Sequence, residues 1–368
     1  MHLENISLNC FKNYSTLEVA FPKEINCFVG ANGSGKTNLL DAIHYLSLTK
    51  SAFNIVDNQN IQHDKDYFSI RGNFRVNTKK YQVQCSLQLR QKKVVKLNQK
   101  PYEKISEHIG KFPLVLINPH DTDIIRGGGE GRRRFFDVII SQIDPAYLGN
   151  LMQYNHGLKQ RNSLLKQFAE SGNPDMDLIA PYDQIILDLG HKIHLERSRF
   201  VTKFVPIFEQ HYKNLSEQKE HTSLHYTSEL VQPDFDSRFR HNLQRDMALH
   251  RTGLGIHKDD YVFKIEDYPL KKFGSQGQQK SFVIALKLAQ YDIIKDQKAF
   301  KPLLLLDDIF DKLDDFRIKK LMQMLGEHKF GQIFVTDARP ERTRAIFESL
   351  KSDMDLFLIE SGNIKRIE

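Results

Sequence analysis

The chain has 368 residues, 40% hydrophobic and 27% charged, too long for one ordinary core, which predicts two domains or one domain with an insertion. It has no apolar run near the ~20 residues of a membrane span, no signal-peptide pattern in Met1-His2-Leu3-Glu4-Asn5, and only three scattered cysteines (Cys10, Cys27, Cys85), so it reads as cytosolic and reduced. The net charge of +7 is local: between Arg71 and Lys104 ten basic residues face the single acid Glu103, so that segment carries +9 and the rest −2, which suits a polyanion.

Alternation of Ile6 and Leu8, then Leu17, Val19 and Phe21, around Lys12-Asn13-Tyr14 predicts a hairpin over 3–21. It leads into an apolar strand, Ile25 to Val29. Next comes Gly30-Ala31-Asn32-Gly33-Ser34-Gly35-Lys36-Thr37-Asn38, which fits G-x-x-x-x-G-K-[ST], and then helix-spaced Leu39, Leu40, Ile43 and Leu46. Strand, glycine loop and helix form the context that a phosphate-binding loop requires. Its glycines let backbone N–H groups close around phosphates, and the helix N-terminus adds partial positive charge. Lys36 reaches the β- and γ-phosphates as a point charge, and the Thr37 hydroxyl is placed for Mg²⁺. Residues 30–38 are therefore expected to bind a nucleotide.

A polar loop (49–66) precedes renewed alternation over 67–97: Phe68, Ile70, Tyr81, Val83, Cys85, Leu87, Leu89, Val94, Val95 and Leu97. An antiparallel sheet with basic residues on its polar face is expected, that face either meeting a polyanion or simply solvated. Leu114-Val115-Leu116-Ile117 reads as a buried strand ended by Asn118-Pro119-His120-Asp121. After Arg126-Gly127-Gly128-Gly129 and Arg132-Arg133-Arg134-Phe135-Phe136-Asp137, the pattern is helical to about Arg251. One break falls near Ser171-Gly172-Asn173-Pro174, a turn is expected at Pro181, and Val231 to Asp236 marks the far end or return of a helical arm. No fixed-period repeat is present.

A strand pair is expected around Tyr261 to Leu270, then a helix opened by Phe273-Gly274-Ser275-Gln276-Gly277-Gln278-Gln279. Leu303-Leu304-Leu305-Leu306-Asp307-Asp308 is a buried strand that delivers two acids to the carboxyl edge of a parallel sheet, where ligands sit. Ile333 to Thr336 and Leu356 to Ile359 read as further strands. Asp307 is placed to hold Mg²⁺, directly or through water, and Asp308 to act as general base. The expected division is 1–117 with 252–368 as one discontinuous domain and 118–251 as the arm.

The order of phosphate loop, Ser275-Gln276-Gly277-Gln278 and acid pair is that of an ABC-type ATPase. With Asn118-Pro119, Arg132 to Asp137, and Leu158-Lys159-Gln160-Arg161-Asn162-Ser163-Leu164-Leu165, the chain resembles, over essentially its full length, the RecF family of bacterial recombination mediators. The resemblance implies an α/β P-loop ABC-type head, a mixed sheet with helices on its faces plus an antiparallel β subdomain, and a short helical arm in place of the coiled coil of SMC and Rad50 relatives. It implies ATP and Mg²⁺ as cofactors, an ATP-dependent homodimer, and weak DNA-stimulated ATP hydrolysis. It also implies binding to duplex DNA and single-strand/double-strand junctions, and work with RecR and RecO to load RecA. By position, Gly33, Gly35, Lys36 and Thr37 would bind phosphate and Mg²⁺. Ser275, Gly277 and Gln278 would be the signature reaching the γ-phosphate held by a second protomer, and Asp307 the Mg²⁺ acid, with Asp308 where ABC proteins usually carry a catalytic Glu.

The sequence also departs from the family pattern. His120 replaces an acid after Asn-Pro. Gly255-Ile256-His257-Lys258 keeps His257 but has Lys for Arg, a poorer bidentate phosphate ligand. Asp311 stands where Ser is usual, before Leu313-Asp314, and Thr336 where ABC transporters have a switch His. Slow turnover is expected, a timer more than a motor. Candidate DNA contacts are Lys92, Lys93 and Lys96 on the sheet and Arg132, Arg133 and Arg134, with the alternative that Arg133 or Arg134 pairs with acids inside the arm. The rival readings are an adaptor in which ATP is structural glue for protein partners, and, less suited to this Arg-rich arm, a transporter head.

Overall fold

The structure is a computed structural model that describes residues 1–22, 24–216, 220–310, 317, 318, 320, 323, 324, 329–349 and 354–367. The turn Asp311-Lys312-Leu313-Asp314 lies outside the described residues. The chain divides into two compact units, Met1–Asp121 with Lys280–Glu368, and Thr122–Gln279.

In the first unit a six-stranded sheet runs in the order Asn363–Arg366, Met354–Glu360, Ile25–Val29, Ile333–Asp337, Leu303–Leu306, Leu114–Ile117. All neighbours are parallel except the terminal strand, which pairs antiparallel with Met354–Glu360. The four-leucine strand and Ile25–Val29 are buried at every position, as unbroken apolar runs must be when both sheet faces are covered.

The second sheet is wholly antiparallel: Tyr14–Ala20, His2–Phe11, Tyr67–Val76, Lys79–Gln88, Val94–Leu97, Lys100–Pro101. The hairpin over 3–21 is present, with Phe11 opposite Tyr14. It forms the edge of this sheet rather than part of the phosphate-loop sheet. Period-2 alternation puts Phe68, Ile70, Phe74, Val83, Cys85 and Val95 inward, packed in one core with Phe28, Leu39, Leu40, Ile43 and Phe334. The opposite face carries Asn5, Asn73 and Gln82 as a side-chain ladder, Asn73 donating to Asn5 (2.8 Å) and Gln82 to Asn73 (3.3 Å).

The second unit holds helices Gly129–Ile143, Pro145–Ser171 and Met176–Leu215, with shorter ones at Phe235–His241 and Leu243–Leu249. Asp144 caps the second through the N–H groups of Ala146 and Tyr147, with Pro145 in the first turn, where its missing N–H costs nothing. The turn expected at Pro181 is absent: the Met176–Leu215 helix continues through Pro181 and Pro206. The carbonyls four residues earlier, of Asp177 and Thr202, belong to exposed residues, so water can replace the missing bonds.

Thr222–Thr227, read as helical, is a strand, and Asp260–Ile265 pairs with it along its whole length. That pairing, with Thr252 bonded to Asn162 (2.8 Å) and Arg161 (2.8 Å), ties residues 252–279 to the second unit instead of returning the chain to the head at 252. The Leu-Lys-Gln-Arg-Asn stretch is architectural. Arg161 is fully buried and bonded to Asp183 (2.5 Å) and Asp246 (2.6 Å). Asp137 plays the same part, accepting a bidentate bond from buried Arg197, which also reaches Asp259 (2.8 Å).

Candidate nucleotide site

The loop Gly30 to Gly35 leaves the central strand of the parallel sheet and opens the helix Lys36–Leu48. Gly30, Gly33 and Gly35 all have positive φ (147°, 80° and 118°), a region that favours glycine. At Gly30 a Cβ would lie 2.3 Å from the Ile359 carbonyl, and at Gly35 2.5 Å from the Asn13 amide nitrogen. Gly30 therefore excludes a side chain both by torsion and by a backbone carbonyl, and Gly35 by torsion, with Asn13 and Tyr14 forced to shift as well.

The hairpin turn grips this loop, which the motif gave no sign of. Asn13 Nδ2 donates to the Ser34 carbonyl (3.2 Å) and Tyr14 OH to the Gly35 carbonyl (2.9 Å), while Asn38 Nδ2 donates to Asn13 Oδ1 (2.7 Å). Lys12 continues the contact, pairing with buried Asp41 of the helix at 2.6 Å. Lys36 is buried, and its Nζ donates to the Gly30 (2.7 Å) and Ala31 (2.9 Å) carbonyls. Burial lowers its pKa, while Asp308, Asp307 and Asp337 oppose that shift.

The acid pair meets the loop. Asp307 Oδ1 accepts from Thr37 Oγ1 (2.9 Å) and Thr336 Oγ1 (2.8 Å), and burial raises its pKa against those two bonds. Asp308 has a left-handed backbone (φ 46°), its N–H donates to Thr336 Oγ1 (2.9 Å), and its Oδ1 is buried with no hydrogen-bond partner. Ser34 Oγ is buried and unpartnered as well. Unmatched polar atoms carry a desolvation cost that a polar ligand relieves. Two such atoms beside a glycine cradle and a Thr–Asp pair fit a nucleotide with a divalent cation. Among the described residues no group of three or more His, Cys, Asp or Glu could hold a metal alone.

Nearby, Lys287 ties Asp121 (2.8 Å) to the Leu116 carbonyl (2.8 Å), and Asp121 Oδ2 accepts from Asn118 N–H (2.8 Å), so the loop carrying exposed His120 is fixed at its base. His257, kept from the family pattern, is engaged within the second unit. Its ring bonds Tyr154 OH (2.8 Å) and the Thr252 carbonyl (3.1 Å), and burial lowers its pKa to about 4.

In the second unit Ser275 N–H donates to Gln278 Oε1 (2.7 Å) and Gln278 N–H to Ser275 Oγ (3.2 Å), a reciprocal capping box. Gln278 Nε2 donates in addition to Glu220 (2.8 Å), so its side chain is occupied in building the helix start. Ser275 is exposed at that start, with Gly277 two residues on.

The basic candidates fare unequally. Lys93 is held inside, its Nζ on the Thr49 carbonyl (2.5 Å) and Asp57 (2.7 Å) and over the Tyr45 ring, whereas Lys92 is exposed and Lys96 half-buried on the open sheet. In the triple arginine it is Arg132 that pairs with an acid, bidentate to Asp260 (2.7 and 2.8 Å). Arg133 reaches the Asp259 carbonyl (2.5 Å), and Arg134 is exposed.

Residues 2–354 match the family described as RecF/RecN/SMC N terminal domain. The chain is 46% identical over 366 residues to the "DNA replication and repair protein RecF" of Cytophaga hutchinsonii, covering 100% of this chain and 97% of that one. The protein of the same name from Flavobacterium johnsoniae is 47% identical over 357 residues, covering 97% and 99%. A solved structure of the recombination mediator protein RecF-ATP in the RecFOR pathway has a TM-score of 0.90 at 28% identity, covering 100% of this chain and 98% of that chain. An Smc head domain from Pyrococcus furiosus shares the fold alone, with a TM-score of 0.56 at 17% identity over 100% and 96% of the two chains. The fold is that of an α/β P-loop ATPase head with a helical arm.

Proposed function

This chain belongs to the RecF family of DNA replication and repair proteins, and on that premise we propose that it is an ATP-dependent clamp on duplex DNA beside single-stranded gaps. ATP sits in the loop of one protomer and is closed over by Ser275 and Gly277 of a second, so that nucleotide binding and dimerisation are one event. The closed dimer, in the cytoplasm, works with RecR and RecO to load RecA, and slow hydrolysis resets it. The observation that carries the reading is the Thr37–Asp307 contact at 2.9 Å with Asp308 Oδ1 buried and unpaired beside it.

Each residue has a task on this reading. Loop N–H groups and Lys36 Nζ bind the β- and γ-phosphates, and Ser34 Oγ supplies a further polar contact. Thr37 and Asp307 would hold Mg²⁺, which would neutralise phosphate charge. Asp308 Oδ1 takes a proton from the attacking water. The Thr336 hydroxyl already bridges Asp307 and the Asp308 N–H, so it does not stand in for an imidazole at the γ-phosphate, which supports slow turnover.

The exposed cations Arg71, Lys80 and Lys92, with Lys96, supply phosphate contacts that position DNA without reading sequence. Sedimentation with and without ATP, for the natural chain and Lys36→Met, repeated with a gapped duplex, tests the proposal. A dimer that needs ATP and is lost in Lys36→Met, with RecR binding intact, is the expected result. Dimerisation and DNA binding that survive Lys36→Met would instead favour an adaptor for which ATP is incidental.

A further inference from the structure

Four exposed large apolar side chains among the described residues of the first unit come from two loops that touch. Ile55 is 90% exposed and Val56 51%, on the loop after the phosphate-loop helix. Leu89 is 42% exposed and Val94 38%, at the hairpin between strands Lys79–Gln88 and Val94–Leu97. Lys93 joins the loops through Thr49 and Asp57.

The Ile55 loop is not slack. Asp41 accepts from Ser51 Oγ (2.6 Å) and Ala52 N–H (2.7 Å), Ser51 Oγ accepts from Phe53 (3.1 Å) and Asn54 (2.9 Å) N–H, and Asn54 Nδ2 donates to Asn60 (3.0 Å). A loop so thoroughly bonded holds its apolar tip in water by construction. The cations of residues 49–66 and 89–94 are Lys50, Lys65, Arg90 and Lys92, all exposed, and Lys93, against three acids, of which Lys93 offsets Asp57. The other two, Asp64 and Asp66, lie at the far end of the 49–66 loop, where the Asp66 carbonyl accepts the Leu89 N–H.

An apolar centre with a cationic rim has a chemical complement in the end of a duplex: a flat base-pair face that nothing stacks upon, ringed by phosphates. A protein pocket could match the apolar tip, but the cations would then need a separate acidic rim. The duplex end supplies both on one surface. We propose that Ile55 and Val56 form a wedge that stacks on the terminal base pair where duplex meets gap, with Lys50, Arg90 and Lys92 on the flanking phosphates. Isoleucine and leucine wedges unstack base steps in bent duplexes, and the cost is smallest where a pair is already stacked on one side only. The inference rests on the reading that this chain grips DNA beside gaps, and it names the residues that would recognise the junction.

The test uses the full chain with ATP and two dumbbell duplexes whose ends are closed by loops, one intact and one with an internal gap. The gapped one carries 2-aminopurine in the pair bordering the gap. The natural chain should hold the gapped dumbbell roughly tenfold more tightly and change the 2-aminopurine emission. Ile55→Ala with Val56→Ala should bring the two affinities within about twofold, leaving the intact dumbbell bound as before, and Ile55→Phe should retain the preference. A preference that survives the double alanine change, including one accompanied by loss of a protein partner, would overturn the wedge. So would equal binding of both dumbbells by the natural chain. Binding to neither by the natural chain would remove the DNA reading itself.

Discussion

Tyr14 is a second line of support for the phosphate loop, because a hydroxyl that holds the Gly35 carbonyl from behind fixes the direction of the peptide that follows. Tyr14→Phe removes one of the two bonds to that carbonyl and leaves it with the Leu39 N–H alone (3.0 Å), at about 1 kcal/mol, and should weaken nucleotide binding about fivefold in a titration with a fluorescent ATP analogue. Unchanged affinity would mean that the glycine torsions set the loop alone. Histidines make a separate prediction. Burial lowers the pKa of both His257 and His108 to about 4, below the unfolded value near 6.5, so the unfolded chain binds more protons between those values. The contribution is fully present above about pH 6.5 and is lost as pH falls towards 4, by roughly 3 kcal/mol for each. Denaturant midpoints across this window should fall with acid, and His257→Gln should flatten part of the slope. Residues of this kind were hidden from the sequence. The motif at 30–37 is contiguous and announces itself, but Asn13 and Tyr14 act on backbone carbonyls 21 residues away, and Lys93 looks like any surface lysine until Asp57 comes beside it.

At the level of elements, the signature is first of all a helix start. Gln278→Ala removes half of the capping box and should cost about 1 kcal/mol of stability while ATP-dependent dimerisation persists. Ser275→Ala should cost a similar amount and abolish the dimer in sedimentation. If both variants dimerise alike, the serine has only its capping role. Strand legibility followed chemistry too. Leu303 to Leu306 and Ile333 to Thr336 were readable because a strand covered on both faces must be apolar throughout. Thr222–Thr227 was not, since it buries only Leu224 fully, sits among helices, and takes its strand character from Asp260–Ile265 more than 30 residues on. Pro181 misled for the opposite reason, because a rule about helix interiors is relaxed where the bereft carbonyl faces water.

For the whole molecule, charge placement rather than net charge decides how DNA would be held. Arg71, Gln84 and Lys96 lie across three adjacent strands of the open sheet, so the first and last stand roughly 10 Å apart. Arg71→Gln with Lys96→Gln should lower the slope of log affinity against log salt by up to about 2, one unit per lost phosphate contact. Lys93→Gln should leave the slope alone and cost about 1–3 kcal/mol of stability instead. A slope reduced equally by Lys93→Gln would return that lysine to the DNA surface. The position of the phosphate-loop strand reaches further. Ile25–Val29 is made early in synthesis, yet both of its neighbours, Ile333–Asp337 and Met354–Glu360, arrive some 300 residues later, and the Ile359 carbonyl sits against Gly30. The last wall of the nucleotide site is therefore synthesised some 300 residues after the glycine motif. A chain halted between the glycine motif and Ile333 carries the whole motif yet lacks both neighbours of its strand and the Ile359 carbonyl against Gly30, so the motif alone makes no seat for a nucleotide.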